Sequence, residues 1–421
     1  MINSIRGFND ILPPDTNVWQ HIEKEARQIF EAYGFSEIRV PIVERTGLFS
    51  RSIGETTDIV EKEMYTFSDR HGESITLRPE GTAPVVRAYI EHKIYASDPV
   101  TKLYYLGPMF RYERPQKGRF RQFYQIGAEV FGVDDPQVDA ETLEMLVSLF
   151  QRLGLKDINL QINSLGCKEC RPLYKEKLLS YVKDKKANLC QDCQRRLEIN
   201  PLRTLDCKSH TCIEITSAAP SILDSICDTC KSHFEKVKQY LELSQISFSI
   251  NQKMVRGLDY YIRTTFEITA QGIGSQNAVA AGGRYDGLVK SLEGPDVPGF
   301  GFAIGMERLV MLLKDSVQRS AFSVQPLVFM ITLGEKAEKT AMPLMKTLRS
   351  QGMRLERDYG SKGIKAQMKK ADKLGARFVL ILGDDELAEN SITIKNMQSG
   401  EQGKVPLNQG EERLKLLMEK A

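Results

Sequence analysis

Between Phe110 and Phe131 the chain sets guanidiniums, a carboxylate and amides in an order that suits phosphate chemistry. Arg111 and Glu113 are two residues apart, so on a strand they share one face. The loop that follows, RPQKGRFRQ, adds Arg119 and Arg121, whose forked donors match phosphate oxygens. In the next run Phe123, Gln125, Gly127, Glu129 and Phe131 alternate onto one face. A polar, glycine-spaced face with Gln125 and Glu129 makes a poor core and a good floor for a small polar ligand, although a solvent-facing sheet surface would show the same alternation. Two more clusters lie downstream: Arg256 heads RGLDYY with Tyr260 and Tyr261, and Arg284, Tyr285 and Asp286 sit in AGGRYDGL. Arg308, in the first turn of a helix beginning at Met306, opposes the helix dipole unless an anion lies near. A simply exposed arginine there costs little.

All eight cysteines fall between Cys167 and Cys230. Three CxxC pairs and the wider Cys207/Cys212 pair have the spacing of zinc ligands, and Cys190, Cys193, Cys207 and Cys212 form the most compact quartet. Metal-free thiols and disulfides are the competing readings, and a cytosolic setting argues against the latter. The active-site motifs are expected to lie outside this region. Other nucleotide and hydrolase signatures are missing: there is no GxxxxGK[ST] loop, no HExxH and no GxSxG, and GFGFAIG at Gly299 to Gly305 falls outside any βαβ unit.

The elements that must position these residues follow from periodicity. Apolar residues at Val18, Ile22, Ala26, Ile29, Phe30 and Tyr33, after Asp15 and before Gly34, predict an amphipathic helix. Phe35 to Val43 is extended, and Pro41 confines it to an edge or an interface. Leu103 to Glu113, Gln122 to Phe131 and Asp259 to Ile268 read as strands, which gives an α+β core of antiparallel sheet with helices packed on it. Asp315 to Pro326 is an unpatterned linker, and beyond it strand and helix alternate in a separate α/β domain. With 421 residues, 41% hydrophobic and 27% charged, the chain is expected to be folded and multi-domain, with no apolar run long enough to span a bilayer. Met1 to Asp10 carries no secretory signal pattern, so the expected compartment is the cytosol. The net charge of +3 hides two basic patches. Met109 to Gln125 has five basic residues against one acid, and Lys336 to Arg377 has twelve against four, a pairing that favours a polyanion such as nucleic acid.

LRPEGT at Leu77 to Thr82, FRYERPQKGRFRQFYQIGAEVFG at Phe110 to Gly132, RGLDYY, AAGGRYDGL at Ala280 to Leu288 and GFGFAIGMERL at Gly299 to Leu309 together resemble the class II histidyl-tRNA synthetases over the whole chain. The resemblance implies a six-stranded antiparallel catalytic domain over residues 1–320, with the Cys-rich insertion at 167–240, and an anticodon-binding domain over 327–421. It implies a homodimer formed partly through the Pro41 region, and Mg2+ and ATP as the means of making histidyl-adenylate before transfer to tRNA. Arg111, Arg256 and Arg308 would be the catalytic cations. Glu80, Thr82, Arg111, Gln125, Glu129, Arg256, Tyr260 and Tyr261 would bind histidine, with Glu129 and Tyr261 reading the imidazole. Arg111, Glu113, Arg119 and Arg308 would bind ATP, and Gln116 and Arg121 would meet the tRNA acceptor end. A structural Zn2+ on Cys190, Cys193, Cys207 and Cys212 departs from the common family pattern. The rival is a non-catalytic histidine-sensing regulatory subunit of ATP phosphoribosyltransferase, a relative that lacks the anticodon-binding domain.

The basic C-terminal stretch makes one expectation measurable, because phosphate contacts make binding salt-dependent. Truncation after Pro326 should leave adenylate formation largely intact and cripple transfer to tRNA. Equal tRNA charging by the truncated and full-length chains would contradict it.

Overall fold

A computed structural model describes residues 2–55, 57–271, 277–316, 327–360 and 363–419. The chain divides into two compact units, Met1–Arg319 and Ser320–Ala421. Among the described residues no helix is long and apolar enough to cross a membrane.

The first unit is built on an eight-stranded sheet. Its six central strands are antiparallel neighbours in the order Thr101–Phe110, Gln122–Phe131, Gly299–Gly305, Ala278–Arg284, Ile262–Ala270 and Ile158–Ser164. Two short parallel strands, Ser36–Glu37 and Phe248–Ile250, extend the two edges, so the six-stranded expectation describes the centre and not the whole sheet. The helix Asp15–Ala32 buries the expected apolar stripe, and Phe30 stacks on Tyr104 of the sheet with ring centroids 4.8 Å apart. The α+β reading is therefore correct.

Boundaries moved where side chains or turns capture the backbone. The first hairpin strand stops at Phe110 rather than Glu113, because the Tyr112 amide donates to the Glu63 carbonyl and the Glu113 amide turns back onto Arg111. The third strand begins at Ile262 rather than Asp259, whose amide donates to Ile53 and whose carboxylate accepts from Asn200. Pro41 lies between two short strands, and the carbonyls of Val40 and Pro41 accept from the buried Arg78 guanidinium. The helix Met306–Ser316 takes in the first two residues of the expected linker, and the rest of it lies outside the described residues.

The cysteine region folds into the helices Cys170–Val182, Gln191–Ile199, His210–Ser217 and Asp228–Leu243. It is not a detached module. Tyr174, Leu178, Leu197 and Cys212 share one continuous core with Tyr105, Tyr261 and Tyr285 of the sheet domain. The second unit is a five-stranded sheet in the order Leu355–Arg357, Leu327–Thr332, Ala376–Leu382, Ser391–Asn396 and Gln402–Pro406. The first three strands run parallel and the rest antiparallel, with the helices Glu335–Ser350 and Ile364–Lys373 in the crossovers.

Arg284 of the AGGRYDGL turn is fully buried and belongs to the scaffold. Its Nε and Nη2 donate to Asp139 at 3.0 and 2.5 Å, and its other donors reach the Val133 and Asp135 carbonyls and Asp286. Breaking one side of such a pair leaves an uncompensated buried charge, at about 3–5 kcal/mol. Arg284→Met should therefore lose about that much stability in urea unfolding, and adding Asp139→Asn should recover part of it. A loss under about 1 kcal/mol for the single variant would show that the pair is not a structural anchor.

Candidate active site

Four strands, several loop segments and the starts of two helices converge on a polar cleft of about 390 Å³. Arg111, Arg119, Arg256 and Arg308 all line it, together with Glu80, Thr82, Glu113, Gln125, Tyr260 and Tyr261. The guanidiniums are held from behind. Arg111 donates from Nε to the Pro79 carbonyl at 2.8 Å and lies over the Phe123 ring at 5.3 Å, while Arg119 pairs with Glu113 at 2.8 Å. Arg256 pairs with Glu267 and lies 5.9 Å from the Tyr261 ring centroid, and Arg308 donates to the Ala278 carbonyl. The hairpin tip leans on Arg308: a Cβ at Gly118, whose φ is +73°, would meet its Cγ at 3.3 Å. Burial, and then the like charge of Arg119, lowers the pKa of Arg308. An anion among these groups relieves that repulsion, which answers why an arginine sits in the first turn of its helix. Gln125 Oε1 and Arg256 Nε are buried without a hydrogen-bond partner and line this cleft, open to a polar ligand.

Glu129 departs from its expected place. It is fully buried and does not line the cleft. Its carboxylate accepts from Thr82 Oγ1 at 2.7 Å and from the Tyr285 hydroxyl at 2.5 Å, so it lies beneath the floor, behind the residues that face the cleft. The glycine-spaced face is likewise covered in part: a Cβ at Gly127 would fall 2.2 Å from the Tyr105 ring, which fills that space. Glu80 is also occupied, accepting the Thr82 and Ala83 amides at 2.7 and 2.8 Å, where the helix Thr82–Glu91 begins. Gln116 is exposed at the hairpin tip, and Arg121 lies over the Tyr112 ring at 3.8 Å; neither lines the cleft.

Several participants escaped the sequence reading as site residues. Tyr285 was visible in its motif, but nothing in the spacing paired it with Glu129, 156 residues away. Glu267 faces the cleft from the Ile262–Ala270 strand, where its alternation with Thr265 and Thr269 was the available signal. The active-site motifs lie outside the cysteine region as expected, but Asp206 and Lys208, on either side of Cys207, also line the cleft. Arg203 also donates to the Arg256 carbonyl at 3.4 Å. The cysteines form two quartets, Cys190/Cys193/Cys207/Cys212 and Cys167/Cys170/Cys227/Cys230, each with its sulfurs within 4.8 Å of one another.

An antiparallel sheet carrying arginines from three separate segments around a polar cleft, followed by a mixed α/β unit, defines a class II aminoacyl-tRNA synthetase architecture. The family profile described as histidyl-tRNA synthetase matches residues 7–309, and an anticodon-binding-domain profile matches 327–417. The chain belongs to the histidyl-tRNA synthetase family. It is 56% identical over 407 residues to a histidine–tRNA ligase of Geobacter sulfurreducens, covering 97% of this chain and 98% of that one. It is 51% identical to one from Desulforamulus reducens, with 96% of each chain covered. The crystal structure of apo histidyl-tRNA synthetase from S. aureus superposes with a TM-score of 0.83 at 40% identity, covering 98% of this chain and 99% of that one. A Bacillus halodurans structure titled as an ATP phosphoribosyltransferase regulatory subunit/histidyl-tRNA synthetase shares the fold, with a TM-score of 0.64 at 20% identity over 88% of this chain and 96% of that one.

Burial pushes the Glu129 carboxyl up to about 8, with the hydrogen bonds from Tyr285 and Thr82 pulling the other way. The folded chain therefore holds a proton here that the unfolded chain releases near pH 4.3, and this group's contribution to stability falls as pH rises from about 4 to 8. Glutamine does not titrate. The Tm of Glu129→Gln relative to wild type should climb between pH 5 and pH 9; a constant difference would place the titration elsewhere.

Proposed function

We propose that this chain activates L-histidine with ATP as histidyl-adenylate, releasing pyrophosphate, and then passes the histidyl group to its cognate tRNA. The observation that carries this reading is the convergence of Arg111, Arg119, Arg256 and Arg308 on a cleft that continues into Thr82, Gln125, Tyr260 and Tyr261. One end suits a polyphosphate and the other a small polar amino acid. Adenylation needs no enzyme nucleophile: the histidine carboxylate attacks the α-phosphorus and the bond to pyrophosphate breaks. What the protein supplies is alignment and fixed positive charge. Arg111 and Arg256 hold the carboxylate and α-phosphate, Glu113 lies near the adenine, and Arg119 and Arg308 take the outer phosphates. Gln125, Glu80 and Thr82 hold the ammonium end, and Tyr261 faces the imidazole. Glu129 reads the ring once the Thr82 or Tyr285 hydroxyl yields its place.

Mg2+ fits the same cleft, where the Glu267 carboxylate faces the arginines and would hold the ion. When bound, it neutralises phosphate charge. Gln116 and Arg121, on the hairpin loop outside the cleft, meet the acceptor end of the tRNA. The catalytic domain spans 1–320 and the anticodon-binding domain 327–421; the working protein is a cytoplasmic homodimer joined partly at the Pro41 segment. Cys190, Cys193, Cys207 and Cys212 fit a structural zinc ion: two of the sulfurs lie 3.8 Å apart, and the Cys190 and Ser209 amides donate to Cys212 and Cys207. The regulatory-subunit alternative is not favoured, because the identity to that structure supports only a common fold.

Histidine-dependent exchange of pyrophosphate into ATP, run against a panel of amino acids, tests the reading. Wild type should exchange with histidine alone, and Arg256→Ala should slow single-turnover adenylation by about a hundredfold or more. No exchange in folded wild type removes the enzyme reading, and an unchanged rate in Arg256→Ala removes that residue from the reaction.

A further inference from the structure

The second quartet, Cys167, Cys170, Cys227 and Cys230, comes from two turns 57 to 63 residues apart in the chain and has no part in the chemistry above. Its geometry repeats that of the first. Cys227 caps the helix Asp228–Leu243 and Cys230 lies in its first turn, as Cys190 and Cys193 do for the helix Gln191–Ile199. In each quartet two cysteines are half-buried and two are buried. The Cys167 and Cys170 sulfurs are 3.4 Å apart and those of Cys170 and Cys230 are 4.0 Å apart. Four sulfurs around one tetrahedral zinc at about 2.3 Å stand about 3.8 Å apart, so these distances fit. All eight cysteines are free, and a disulfide would require about 2.0 Å. An iron–sulfur cluster spreads its thiolates over separate irons, whereas these converge on one point. The Cys227 amide donates to Cys170 Sγ at 3.1 Å, the kind of outer contact that orients a thiolate ligand.

The turn is tied to the site by backbone. The Leu165 amide donates to the Arg263 carbonyl at 2.7 Å, and the Arg263 amide to the Gly166 carbonyl at 2.9 Å. Arg263 lies two residues after Tyr261 and has φ of +46°, a left-handed conformation that a non-glycine residue keeps only when its surroundings hold it.

We infer that Cys167, Cys170, Cys227 and Cys230 hold a second, independent zinc ion that clamps the Leu165–Cys170 turn against Arg263 and so fixes the start of the strand behind Tyr261. Protein expressed with zinc and purified without chelator should carry two zinc ions per chain by elemental analysis. Cys227→Ser/Cys230→Ser and Cys190→Ser/Cys193→Ser should each retain one. Amide exchange at Leu165 and Arg263 should quicken at least tenfold in the first variant and stay near wild type in the second. One zinc in wild type, unchanged in Cys227→Ser/Cys230→Ser, overturns the site, as does iron with absorption near 400 nm. Unchanged exchange at Arg263 overturns the clamp. Where a serine variant fails to fold, titrating metal-free wild type with Co2+ decides instead: thiolate-to-cobalt charge transfer should rise to two equivalents, and a break at one overturns the second site. Because every readout counts metal or exchange, the outcome is independent of whether the cleft activates histidine.

Discussion

The buried carboxylate of Glu129 joins three segments that the sequence keeps far apart. Thr82 arrives from the LRPEGT turn, Tyr285 from the AGGRYDGL turn, and Glu129 from the second half of the Gln122–Phe131 strand. A carboxylate with no exposure is costly unless its oxygens are satisfied, and here one hydroxyl serves each oxygen. That requirement fixes the height of the helix beginning at Thr82 relative to the sheet. It also explains Gly301 on the neighbouring strand, where a Cβ would fall 1.8 Å from a Glu129 oxygen. The glycine in the pairing register opposite Glu129 leaves space for its carboxyl.

Above that floor the arginines obey a different balance. Each guanidinium in the cleft is either paired to an acid or donates to a backbone carbonyl, and Arg111 does both, so none needs to be assembled when substrate arrives. Preorganised positive charge of this kind is most effective where charge develops on a reacting phosphate. Its cost is mutual repulsion, visible in the effect of Arg119 on Arg308, and that stress falls on the site and not on the core. The core charges, Arg284 and Asp139, are matched within the fold.

The hairpin, the basic loop, the leading helix and the alternating C-terminal unit were legible because each rests on a local signal: period two, period 3.6, or a glycine-marked turn. Ten of the expected cleft residues, from Glu80 to Arg308, line one cavity because alternation along a strand fixes which residues share a face. Glu129 shows where that logic stops. Alternation placed it on the right face, but whether a residue on that face touches ligand or is roofed by a neighbour depends on the Tyr105 ring and the Tyr285 hydroxyl, which arrive from a neighbouring strand and from a turn. Arg284 is the converse case. Its sequence context is that of a ligand-facing turn, and only the carboxylate of Asp139, 145 residues away, makes it part of the scaffold.

The cysteine region carries the same lesson into the relation between scaffold and chemistry. Spacing alone suggested a closed structural module, since pairs two residues apart bring two thiolates to one ion from a tight turn. Spacing is silent about what the loops between the pairs do. Cys207 stands between Asp206 and Lys208, both in the cleft wall, and Gly166 is bonded to Arg263, just beyond Tyr261. One quartet is thus a chain neighbour of cleft-lining residues, and the turn that carries the other is bonded to the backbone two residues beyond Tyr261. A small helical insertion with a shared core gains rigidity most directly from covalent or metal cross-links, because it has few apolar layers of its own. With zinc bound in both quartets as proposed, those cross-links would stand beside cleft-lining residues and would limit how far Asp206, Lys208 and Tyr261 can move.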